Sequence, residues 1–118
     1  MNPFVHVELQ TQDPTRAKAF YTGLFDWKLE DMPGMDYTMI GVGEGTGGGI
    51  MKHPISGAPP QWLAYVYVDD VAAATKKAKA LGATVLKDKT EVPNSGWFSL
   101  IADPMGATLG LWQPRTKK

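Results

Sequence analysis

His6 and Glu8 are the pair of side chains in this sequence with the types and the spacing to move a proton. They lie in Phe4-Val5-His6-Val7-Glu8-Leu9, where Phe4, His6 and Glu8 fall on one side and Val5, Val7 and Leu9 on the other. That alternation is the period of a half-buried strand, so imidazole and carboxylate share a face. A carboxylate beside an imidazole raises the imidazole pKa and sets its tautomer. Such a pair can shift a proton on an enolisable small substrate without a metal. The plainer reading keeps both as polar lining residues, hydrogen-bonded to each other or to Tyr65.

The other candidates for chemistry are weaker. His53 sits in His53-Pro54-Ile55-Ser56-Gly57-Ala58-Pro59-Pro60, a stretch of linker composition. Ser56, Ser95 and Ser99 lack the context of a nucleophile elbow. The glycine run from Gly41 to Gly49 lacks the ordered spacing, the lysine and the following helix of a phosphate cradle. It reads instead as a hairpin turn entering a strand, whose internal glycines signal a bulge or a close approach to the backbone.

Composition narrows the classes. The 118 residues suffice for one domain with a real core. Lysine plus arginine equals aspartate plus glutamate at 12 each, so no net charge argues for nucleic acid or an anionic membrane. Lys76, Lys77 and Lys79 read as the wet face of a helix, and Lys117-Lys118 as a solvated tail. With no cysteine, disulfides, thiolate metal sites and a cysteine nucleophile are excluded. No apolar run is long enough to cross a bilayer, and a strand already occupies the N-terminus where a signal peptide would lie. The expectation is a soluble cytoplasmic protein with no membrane or nucleic-acid partner.

Two copies of one unit must position the candidates. Asp13-Pro14 begins a helix, an N-cap type followed by proline at the first helical position. Ala17, Phe20, Tyr21 and Leu24 recur at helical spacing, and Trp27–Met32 reads as a second strand. Sliding the chain by 57 residues lays Leu63–Asp88 on His6–Asp31 without a gap and sets Asp70 on Asp13. Further strands are expected at 37–42, 47–52, 61–68, 84–87, 97–102 and 108–113, with a second helix over 71–81 ended by Gly82. The pattern is βαβββ twice, with modules at 4–52 and 61–113 joined by the linker 53–60. A repeated unit of this kind cannot bury its apolar face alone, so the expectation is one domain with any site between its halves.

The opening HVEL…DPTRAKAFYTGLFDW, the VYVDDV before the second helix, the closing ADPMGATLGLWQP and the paired modules together resemble the vicinal oxygen chelate superfamily. Its members include glyoxalase I, bleomycin-resistance and fosfomycin-resistance proteins and extradiol dioxygenases, and the resemblance covers essentially the whole chain. It implies an α+β fold, with paired βαβββ modules curling mixed sheets into a partly open barrel, helices outside and a concave cavity inside. In metal-using relatives a divalent ion sits on His, Glu or Gln side chains of the first, fourth, fifth and eighth strands. Here His6 takes the first position, but Leu63 takes the fifth-strand one and Gly110 the eighth-strand one. The fourth-strand position falls within 48–51, where no Glu, Gln or His occurs. One imidazole does not hold a catalytic metal, so no bound metal is expected in the family manner.

What remains is a cavity lined by His6 and Glu8 with Leu63, Tyr65, Tyr67, Thr108, Gly110 and Trp112, with Trp112 the residue for stacking. Three functions stay open on these residues. One is a metal-free protein that binds a small amphipathic or aromatic molecule. Another is a lyase- or isomerase-type enzyme, related to lactoylglutathione lyase, using His6 and Glu8 or a non-standard site for Zn, Ni or Mn. The third is an interaction or regulatory protein with a vestigial cavity. The resemblance also implies a homodimer, for which Trp62, Met32 and Met35 offer apolar surface.

Overall fold

The computed structural model describes residues 1–116; the Lys117-Lys118 tail lies outside them. The elements run β1 (Phe4–Thr11), α1 (Pro14–Leu24), β2 (Lys28–Asp31), β3 (Tyr37–Gly41), β4 (Gly48–Lys52), β5 (Gln61–Tyr67), α2 (Val71–Ala80), β6 (Thr84–Val92), β7 (Gly96–Ala102) and β8 (Thr108–Pro114). This is an α+β fold of two βαβββ modules. The residues group into two compact units, His6–Leu63 and the chain from Ala64 onward together with Met1–Val5.

The first unit has the strand order β2-β3-β4-β1, with β1 and β4 parallel and the outer pairs antiparallel. Asp13 caps α1 by accepting from the Arg16 N–H at 3.1 Å. Beneath the helix, Leu9, Ile40 and Ile50 form the buried core, with Ala17, Tyr21, Trp27, Leu29 and Val42 against it. Ile50 is 1% exposed, and burying such a side chain is worth about 1.5–3 kcal/mol. The helical stripe expected from Ala17, Phe20, Tyr21 and Leu24 is split. Ala17 and Tyr21 face the core, whereas Phe20 and Leu24 are exposed. The linker is tied down at both ends. Gln12 donates to the carbonyls of Ile55 and Ala58 at 2.9 and 3.1 Å, and His53 Nδ1 accepts from the Ile55 N–H at 3.1 Å.

The second unit repeats the plan as β5-β8-β7-β6, with β5 and β8 parallel. Asp70 caps α2 as Asp13 caps α1, accepting from the Ala73 N–H at 3.1 Å. Val71, fully buried, anchors the helix on Val68, Ile101 and Leu111. The Thr75 hydroxyl, buried with Ser99, bonds Val71 O at 2.6 Å and Ser99 Oγ at 2.7 Å, so neither polar group is left unmet. Gly82 ends the helix at φ +105°, in the left-handed region that suits glycine. One strand departs from expectation. β6 continues past Lys87 to Val92, because register shifts between Val85 and Lys87 and between Lys87 and Thr90 absorb the break in alternation. Charged side chains on this exposed strand hide its period.

Candidate functional site

On β1 the residues of one parity, His6, Glu8 and Gln10, carry a continuous hydrogen-bonded chain. His6 Nε2 lies 2.6 Å from the Tyr37 hydroxyl, which donates to Glu8 Oε1 at 2.9 Å. Gln10 Nε2 donates to Glu8 Oε2 at 2.8 Å, and Gln61 Nε2 donates to Gln10 Oε1 at 2.9 Å. Glu8 and Gln10 are each 5% exposed, while His6 and Tyr37 are half-buried. The sequence reading placed His6 and Glu8 on one face, and the structure agrees. It missed Tyr37, which bridges them from β3.

Tyr37 reaches this position across β4. Gly49 pairs with Glu8 on one side and with Met39 on the other, so it lies under the path from β3 to β1. A Cβ on Gly49 would stand 2.0 Å from the Tyr37 hydroxyl and 2.2 Å from two of its ring carbons. The close approach signalled by the glycines of β4 is therefore made by Tyr37 at Gly49. At Gly48 it is made by the Val7 carbonyl, 1.9 Å from where a Cβ would be.

Burial holds the His6 imidazole below its ordinary value of 6.5. The neighbouring carboxylate was expected to raise it; burial of the imidazole lowers it instead. The folded chain therefore takes up this proton less readily than the unfolded chain. The resulting contribution to stability is present above about pH 6.5 and is lost as the pH falls through the lower folded value. Thermal unfolding from pH 7.5 to 5 should show a steeper decline for the native chain than for His6→Gln. Parallel curves would refute that role for His6.

The other expected site residues are placed as follows. Leu63 and Tyr65 are buried, at 1% and 7% exposure. The Tyr65 ring lies over Gly110, 2.3 Å from where a Cβ would be, and meets Phe98 edge-on with centroids 6.3 Å apart. Tyr67 donates its hydroxyl to Asp69 at 2.7 Å, which raises the tyrosine pKa. Thr108 and Trp112 are half-buried. A surface cavity of about 280 Å³ in the first unit is lined by Val7, Trp27, Ile40, Val42, Thr46, Gly47, Gly48 and Trp62, and none of the expected ligand-binding residues takes part.

These positions do not suit a metal held in the family manner. Leu63 and Gly110 bring no donor, the space above Gly49 holds the Tyr37 ring, and His6 Nε2 is engaged by Tyr37. Among the described residues, no group of three or more His, Asp and Glu side chains gathers as a metal site would require. Among them, too, no helix is long and apolar enough to cross a membrane.

Comparison with known proteins agrees with the geometry of the fold. CFP32 of Mycobacterium tuberculosis, which carries glyoxylase in its name, is 36% identical over 110 residues, covering 91% of this chain and 42% of that protein. The anthracycline biosynthesis protein DnrV of Streptomyces peucetius is 27% identical over 123 residues, covering 90% of this chain and 45% of that protein. The chain thus spans less than half the length of these relatives. Methylmalonyl-CoA epimerase from Mycobacterium tuberculosis shares the fold with a TM-score of 0.73 at 15% identity, over 96% of this chain and 88% of that one. The family model of the Glyoxalase/Bleomycin resistance protein/Dioxygenase superfamily matches residues 4–111. With nearly the whole chain covered and both βαβββ modules in place, the chain belongs to this superfamily.

Proposed function

We propose that the chain binds a small neutral or cationic amphipathic molecule against the face formed by His6, Tyr37 and Glu8. The observation that carries this reading is the Glu8 carboxylate, 5% exposed, which accepts from the Tyr37 hydroxyl and the Gln10 amide on the same face as His6. A buried charge is costly, and a well-packed apolar side chain would serve the sheet as well or better.

A thermal-shift panel of neutral, cationic and anionic aromatic compounds tests the reading, with and without added Zn, Ni or Mn. The panel includes an anthracycline, since one relative is named for that pathway. Neutral or cationic compounds should stabilise the chain, and His6→Ala should abolish the effect. Stabilisation by anionic compounds alone, or by none, would sink it. A metal shift lost in His6→Ala would point instead to a non-standard metal site.

The continuity from His6 through Tyr37 to Glu8 favours a second reading, an acid–base enzyme acting on an enolisable carbonyl compound. Exchange of deuterium from heavy water into such compounds would support it. The exposed Phe20, Leu24, Phe25 and Trp62 support a homodimer, which sedimentation at a single 12.8 kDa mass would reject.

A further inference from the structure

We propose that Tyr37 is a positioning residue that fixes His6 as its Nε2–H tautomer, and that Gly49 is the seat that allows it. The inference rests on the reading above only in concerning the same face. A tyrosine hydroxyl has one proton to give. That proton goes to Glu8 Oε1, so the 2.6 Å contact between Tyr37 and His6 Nε2 must use a proton from the imidazole. Gln10 gives its amide proton to Glu8 Oε2 while its oxygen receives from Gln61, so the side chains on both flanks of Glu8 donate towards it.

The seat follows from strand register. Tyr37 pairs with Met51 and Met39 with Gly49, so the ring leans along β3 and across β4 to reach the β1 residue opposite Gly49. Any side chain at 49 would occupy the ring's volume, since even a Cβ comes within 2.0 Å of the hydroxyl. The atoms met there belong to the far end of a side chain and not to backbone. Gly49→Ala therefore expels the ring while leaving the strands paired.

Long-range ¹H–¹⁵N correlation spectra above pH 7 read the tautomer directly. His53 provides a reference within each spectrum, because its Nδ1 accepts from the Ile55 N–H and its proton must sit on Nε2. Wild-type His6 should show the same Nε2–H pattern. Tyr37→Phe should shift it towards a mixture, with the Nδ1–H fraction rising several-fold. Gly49→Ala should reproduce that shift although Tyr37 is still present, with the remaining amide spectrum preserved. A wild-type Nδ1–H pattern, or a pattern unchanged in Tyr37→Phe, would overturn the proposal. If Gly49→Ala does not fold, Tyr37→Phe decides alone. A correct tautomer with a silent ligand panel would defeat the binding reading and leave this one standing.

Discussion

Gly48→Ala is expected to remove roughly 3–5 kcal/mol of folding stability, at the upper end of single substitutions. The reason is local and geometric. Gly48 lies opposite Val7 in the parallel β1–β4 ladder, and an added Cβ would stand 1.9 Å from the Val7 carbonyl oxygen and 3.0 Å from its carbon. Both atoms are backbone, so no rotamer change relieves the clash. The two strands must separate, which weakens the bond from the Val7 N–H to the Gly47 carbonyl at 3.1 Å and loosens the sheet around Ile50. Domains are stable by only about 5–15 kcal/mol, so the loss is a large share of the total. Gly23→Ala is the control. It sits in α1 with nothing within 4 Å of its added Cβ, and should gain roughly 0.5–1 kcal/mol from helix propensity. Urea unfolding of both variants checks the pair. A Gly48→Ala chain as stable as the native one would mean that β1 and β4 do not approach as described.

Such contacts mark the boundary of what the sequence could disclose. The two halves were legible because each signal is short-range. Asp13 and Asp70 cap helices 57 positions apart with the same bond to the third residue on. Leu9 and Leu111 take the helix-facing parity that strand alternation assigns them. The length of β6 was not legible, since its bulges break the period by which strands are recognised. Tyr37 was hidden for another reason. Nothing near it in sequence refers to Glu8, 29 residues away; only strand order places both beside the same glycine. Gly49 did carry a trace, as glycine inside a strand marks a close approach. It could not say that the visitor is a tyrosine from the neighbouring strand rather than a ligand. That Leu63 and Gly110 carry no donor atom is plain from their residue types. Their present role was not readable, because the Tyr65 ring covers Gly110 through a pairing of β5 with β8.

Glu8→Ala should cost about 2–4 kcal/mol, with the loss arising from the groups left behind. The Tyr37 hydroxyl and the Gln10 amide both donate to this carboxylate at 2.8–2.9 Å, and Gln10 is 5% exposed. Removing the acceptor takes this bond from the Gln10 amide, which lies away from water, and takes one of its partners from the Tyr37 hydroxyl. Glu8→Gln tests whether the charge itself is needed. Its amide keeps the shape, and the Gln10 and Gln61 side chains can turn over to restore complementary donors and acceptors, because Gln61 lies at the exposed end of the chain. The amide variant should therefore lie within roughly 1 kcal/mol of the native chain, the scale of one hydrogen bond. If the carboxylate exists for packing, ligand-induced thermal shifts in Glu8→Gln will match the native ones. If it exists to meet a ligand, Glu8→Gln will fold normally and lose most of the shift from cationic compounds while keeping more of that from neutral ones. Equal destabilisation by alanine and glutamine would contradict both readings, because it would mean that the hydrogen-bonded chain cannot reverse and that the charge stabilises the fold.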